Sequence, residues 1–224
     1  MHAHGVGSPM PHRTDTLVHI PVDGVDLEGA LELPAGAPGL VVFAHGSGSS
    51  RRSPRNNYVA GVLRERGLGT LLFDLLTESE DRVRENRFDI ELLTDRLVAV
   101  TEWLGTREDT RGLPVGYFGS STGAAAALRA AARLPDAVDA VVSRGGRVDL
   151  AADFLEYVEA PTLFVVGGAD TEVLALNRDA HARLTCETEL HVVPGAGHLF
   201  EREDELEEVA EVAADWFADA LRRA

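Results

Sequence analysis

The pentapeptide Gly119-Ser120-Ser121-Thr122-Gly123 has the form G-x-S-x-G and lies between an apolar run and an Ala-rich stretch. In that context a sharp strand-to-helix turn lifts the serine hydroxyl above a sheet, with a helix N-terminus behind it. A hydroxyl alone is a weak nucleophile; it needs a base that a third group orients. Two later segments supply both. The apolar run 162–166 exits through Gly167-Gly168-Ala169-Asp170, and the last such run exits through Pro194-Gly195-Ala196-Gly197-His198. The expected roles are Ser121 as nucleophile, His198 as general base and then acid, and Asp170 as the group that fixes the His198 tautomer. Asp149 is the rival acid, but it lies several residues beyond the end of its strand, whereas Asp170 sits just past its own.

Charge that develops on a carbonyl oxygen needs preorganised donors. The turn Ala44-His45-Gly46-Ser47-Gly48-Ser49-Ser50 follows another apolar run. The backbone amides of Ser47 and Thr122 are the expected pair forming an oxyanion hole. His45 is expected to pack the turn through a hydrogen bond and to transfer no proton. The plain alternatives are a Gly/Ser turn capping a helix at 119–123 and a flexible loop at 44–50; the flanking strands and helix argue against both.

These residues need a scaffold that gathers strand ends along one edge. Residues 16–22 and 27–33 read as two strands around the hairpin signal Asp23-Gly24. Strands are expected at 40–44, 70–73, 113–118, 138–143, 162–166 and 189–193. Helices are expected at 57–66, 90–104, 122–134, 173–184 and 203–221, from apolar spacing and from stops such as Gly67 and Pro135. The charged stretch 77–87 reads as an exposed loop or a weak helix. The alternation predicts an α/β fold: a doubly wound, mostly parallel eight-stranded sheet with helices on both faces. Residues 14–224 are expected to form a single domain, preceded by a flexible tail, 1–13, that carries His2, His4 and His12.

The set HGSG, GSSTG, GGAD and GAGH resembles the α/β-hydrolase superfamily, and the length and spacing resemble the small group related to dienelactone hydrolase. The resemblance runs from the strand at 40–44 to the last helix. Dienelactone hydrolases use a cysteine nucleophile, whereas this chain has Ser121, so dienelactone chemistry is not carried over. The resemblance implies hydrolysis of a carboxylic ester through an acyl-enzyme, without a cofactor or metal. The same three side chains also serve acyl transfer and the cleavage of thioesters or small amides. A catalytically silent scaffold used for binding is the alternative of another class.

Larger relatives insert a helical lid between the strand ending at Ser143 and the one after Pro161. Here that interval is short, so little or no lid is expected. The site is then shaped by loops at 47–55, 77–87 and 144–155. Arg51, Arg52, Arg55, Arg144 and Arg147 all fall near this edge. Arg144 and Arg51 are the candidates for contact with an anionic part of the substrate, and pairing with the abundant carboxylates is the competing role.

Composition narrows the partners. Asp and Glu total 37 against 21 positive residues, a formal net charge of -16, and every positive residue is Arg. Such a surface repels phosphate backbones and anionic lipid, so a small ester-type substrate is expected, with no nucleic acid and no membrane. The Lys-free acidic surface fits either GC-rich coding or adaptation to high salt. Cys186 is the only cysteine and is expected to pack without chemistry. With neither a leader nor a long apolar run in view, a cytoplasmic location is the expectation. The oligomeric state is not legible.

Overall fold

Strand β3 (Leu40–Ala44) and strand β5 (Val115–Ser120) are buried along their whole length. A strand in that position must be covered on both faces, and alternate side chains divide between them. Val42 and Tyr117 pack on one face, and Val41, Phe43 and Phe118 on the other. The computed structural model of the protein describes residues 16–224. The expected tail at 1–13, with His2, His4 and His12, lies outside the described residues.

Among the described residues, eight strands form one sheet in the order β1-β2-β4-β3-β5-β6-β7-β8. The others are β1 (Thr16–Val22), β2 (Val25–Glu32), β4 (Gly69–Phe73), β6 (Ala140–Arg144), β7 (Thr162–Gly167) and β8 (Thr188–Val193). β1 and β2 pair antiparallel, as do β2 and β4, and every other pairing is parallel. The β1–β2 hairpin turns at Asp23 and Gly24, with φ of 48° and 77°. Positive φ at both positions matches the right-handed twist of the flanking strands.

Helix α1 (Pro54–Glu65) and the last helix, α6 (Glu203–Arg223), cover one face of the sheet. Short α2 (Glu78–Asp81) lies within the charged stretch; α3 (Ile90–Thr106) and α4 (Thr122–Arg133) cover the other face. Helix α5 (Thr171–Arg183) follows β7. α1 starts three residues before the sequence expectation, because Ser53 caps it by accepting from the Asn56 N–H and Pro54 occupies the first turn. On the sheet, the Phe217 ring lies against Gly116: a β-carbon there would come within 2.6 Å of it.

In place of a lid there is one 3-10 segment, Val148–Tyr157. Its Phe154 ring sits under the Arg129 guanidinium, 4.5 Å away, which ties the segment to α4. No helix among the described residues is long and apolar enough to cross a membrane.

Candidate active site

The parallel strands end along one edge, and the expected residues collect there. Ser121 sits between β5 and α4 with φ 51° and ψ -118°, a conformation that L-residues rarely adopt. Its neighbours hold it there. The Ser121 N–H donates to Arg144 O at 3.2 Å, and Ser121 O accepts from the Arg147 and Ala124 N–H groups, each at 3.1 Å. Close approach explains the two glycines of the motif. A β-carbon on Gly123 would lie 2.1 Å from Ala44 O, and one on Gly119 would lie 2.4 Å from Ala124 Cα. Both obstacles are backbone and cannot step aside. Gly123→Ala is therefore expected to destabilise the protein by at least about 1–3 kcal/mol, read as a lower urea midpoint at unchanged slope.

His198 follows β8 on a loop bound to the end of β7. Gly168 N–H donates to Val193 O at 2.8 Å and Ala169 N–H to Ala196 O at 2.9 Å. The two loops thus hold His198 Nδ1 2.7 Å from Asp170 Oδ2, with Asp170 the less exposed partner. Oriented in this way, the imidazole keeps Nε2 free to accept a proton. The ring lies over Gly145, its Cε1 3.4 Å from where a β-carbon would be. Gly145 directly follows Arg144, whose carbonyl holds Ser121, so the two loops meet through adjacent residues. No hydrogen bond joins Ser121 Oγ to His198 in this arrangement.

Asp149 is engaged elsewhere. Arg147 donates to it twice, at 2.9 and 2.8 Å, and this hydrogen bonding holds the Asp149 carboxyl below its usual range. Arg51 is also paired. Its guanidinium is taken by Glu28 and Asp74, and its backbone N–H donates to Asp74 as well, at 2.7 Å. Two carboxylates thus hold Arg51, the competing role expected for it, and they tie it to the loop after β3. Arg144 has no such partner: its Nε and Nη1 are buried without a hydrogen bond.

The loop after β3 carries the other expected donor. The Ser47 N–H donates to Thr122 Oγ1 at 2.9 Å. As the first residue of α4, Thr122 has no intrahelical partner for its own N–H. Gly46 lies against Ser121, with a β-carbon there 3.2 Å from Ser121 Cβ. His45 anchors this loop. Leu75 N–H donates to His45 Nε2 at 3.1 Å, and His45 Nδ1 is 3.0 Å from Gly46 O. A carbonyl can only accept, so Nδ1 carries the proton and the ring is neutral.

Burial is the main cause that pushes the His45 pKa below 6.5. The unfolded chain takes up a proton below that pH while the folded chain does not, so stability falls as pH drops through this range. The slope is at most about 1.4 kcal/mol per pH unit from one group. Chemical denaturation between pH 7.5 and 5 should show His45→Gln with a correspondingly flatter pH dependence than wild type.

Among the described residues no group of three or more His, Cys, Asp or Glu is placed to hold a metal ion. Sequence reasoning missed two contributors. One is the Thr122 hydroxyl. The other is Phe200, buried with φ 50° two residues after His198, its ring 5.8 Å from the Arg144 guanidinium. Neither has a local signal: one contact spans 75 positions, and the other turns on a conformation that phenylalanine does not favour.

The sheet order, the strained serine turn and the His–Asp pair at the strand ends define an α/β hydrolase. The model of the dienelactone hydrolase family matches residues 71–222, and the chain belongs to that family. A crystal structure described as dienelactone hydrolase from Anabaena variabilis ATCC 29413 is 53% identical, with a TM-score of 0.92, covering 94% of this chain and 99% of that one. Est1E from Butyrivibrio proteoclasticus shares the fold at 17% identity, with a TM-score of 0.78 over 92% of this chain and 98% of that one. A Mycobacterium tuberculosis H37Rv protein named "Putative phosphoribosyl transferase" is 57% identical over 94% of this chain. The match covers 48% of that protein, so the chain spans about half the length of the curated relatives it matches most fully.

Proposed function

We propose that the protein is a serine hydrolase that cleaves a carboxylic ester by way of an acyl-enzyme on Ser121. The observation that carries this reading is the 2.7 Å contact between His198 Nδ1 and Asp170 Oδ2, beside a serine held at positive φ. Ser121 Oγ attacks the ester carbonyl carbon as His198 Nε2 takes its proton. Asp170 stabilises the resulting imidazolium. The tetrahedral oxyanion receives the Thr122 N–H, and the Ser47 N–H joins once the Thr122 hydroxyl turns away from it. Collapse expels the alcohol, protonated by His198. Water, deprotonated by the same imidazole, then releases the carboxylic acid and restores Ser121. The edge, where only the 3-10 segment Val148–Tyr157 separates β6 from β7, favours a small substrate.

The phosphoribosyl transferase name belongs to proteins of which this chain matches about half, and no residue described above favours that chemistry. A fluorophosphonate probe tests the hydrolase reading. Intact-mass measurement should show one adduct on wild type and none on Ser121→Ala. An adduct that persists on the variant would remove Ser121 as nucleophile, and an unlabelled wild type would point to a silent scaffold.

A further inference from the structure

In a protein this acidic, an arginine without a carboxylate is expected only where water solvates it. Arg52, Arg84, Arg111, Arg178 and Arg222 have no ion pair among the described residues, and all five are exposed. Arg55 and Arg144 also lack one, yet neither is exposed. No nitrogen of either guanidinium hydrogen-bonds to a described residue, and Arg144 Nε and Nη1 are out of contact with solvent.

The two cations also share a neighbour: the Arg144 guanidinium lies 5.8 Å from the Phe200 ring, and Arg55 lines a cleft with Phe200. Burial first, then the charge of Arg55, lowers the Arg144 pKa to about 10. Arg55 itself rides in the first turn of α1, a turn with no acidic residue. That end of a helix already carries partial positive charge. Desolvating one guanidinium beside another, at the wrong end of a helix, opposes folding, and such costs persist where a ligand repays them.

The pair stands next to the catalytic edge. The Arg144 carbonyl holds Ser121, and its guanidinium lies over Phe200, two residues from His198. An open cleft of about 410 Å³ is lined by Arg55, Tyr58, Phe200 and Leu206, with Arg202, Glu201 and Glu203 also on its wall, and Arg144 meets this lining at the Phe200 ring. Neither glutamate forms an ion pair with Arg55 or Arg144. Two unneutralised guanidiniums match two negative charges. A carboxylate brings one, whereas a phosphate monoester brings nearly two together with three acceptor oxygens.

We propose that Arg144 and Arg55 form a phosphate subsite, so that the ester hydrolysed at Ser121 carries a phosphate monoester group. The substrate part of this statement rests on the hydrolase reading; the subsite does not.

Calorimetric titration with inorganic phosphate and with acetate at pH 7.5 tests it. Wild type should bind phosphate at one site, at least tenfold tighter than acetate. Arg144→Gln and Arg55→Gln should each weaken phosphate at least tenfold, while Arg111→Gln and Ser121→Ala should leave it unchanged. The Tm of Arg144→Gln should rise by a few degrees, since an unpaired buried charge has gone; Arg55→Gln carries the binding test independently if that variant fails to fold. Equal affinity for acetate and phosphate, no saturable phosphate binding, or binding that survives both substitutions would overturn the subsite. Phosphate binding that depends on both arginines, in a protein that the fluorophosphonate probe does not label, would sink the hydrolase reading and leave the subsite standing.

Discussion

Ser121→Ala is expected to lower kcat for p-nitrophenyl acetate by roughly 10⁴- to 10⁶-fold, while the Tm stays within about 2 °C of wild type. The expected size follows from how the residue is held. Its φ of 51° is maintained by backbone contacts to Arg144, Arg147 and Ala124, none of which involves the hydroxyl. Alanine meets the same backbone strain, so the variant should fold and lose only the proposed nucleophile. Donors directed at the oxyanion and substrate binding remain, and in such enzymes they sustain a residual rate above that in water. Turnover above about a hundredth of wild type would exclude an acyl-enzyme on this residue. Adding His198→Ala should then cost little more, because the two groups act as a unit and their losses do not add.

Asp170→Asn is expected to lower kcat by about 10⁴-fold with little change in fold. The carboxylate accepts from His198 Nδ1 at 2.7 Å, which leaves Nε2 without a proton, as the proposed base requires. An asparagine amide can donate to Nδ1 instead, and the ring then presents a proton where an acceptor is needed. Asp149→Asn provides the comparison. Its partner is Arg147, and the Asp149 side chain remains partly exposed, so kcat should stay within about threefold and the stability loss within ~1 kcal/mol. The reverse ranking of the two variants in a kcat measurement would move the acid to the segment after β6. Together the two substitutions separate a role in orienting His198 from a general effect of lost charge at this edge.

How much of this was legible beforehand depends on the range of the force involved. The apolar runs that become β3, β5 and β7 carry their burial in their composition. G-x-S-x-G carries its own reason, since backbone at Ala44 and Ala124 would collide with any side chain at Gly123 or Gly119. Asp170 and His198 were visible because each leaves a strand through a short Gly-rich exit, and parallel strands must end on the same side. Helix starts were less legible. α1 begins early because Ser53 and Pro54 reward an earlier turn by capping, a gain of about 1 kcal/mol that apolar spacing does not register.

The sequence by itself determined the fold class, the serine turn and the identity of the residues that collect at the strand ends. Only the tertiary structure decided who partners whom. Arg51 and Arg144 are the same residue type near the same edge, yet Glu28 and Asp74 meet one while the other has no ion pair among the described residues and lies 5.8 Å from the Phe200 ring. Asp149 went to Arg147 and Asp170 to His198. The Ser47 amide turned to the Thr122 hydroxyl. The reason is physical: strand and turn propensities act over a few residues, whereas ion pairs and hydrogen bonds form between groups that the packed sheet brings within about 3 Å, whatever their separation along the chain.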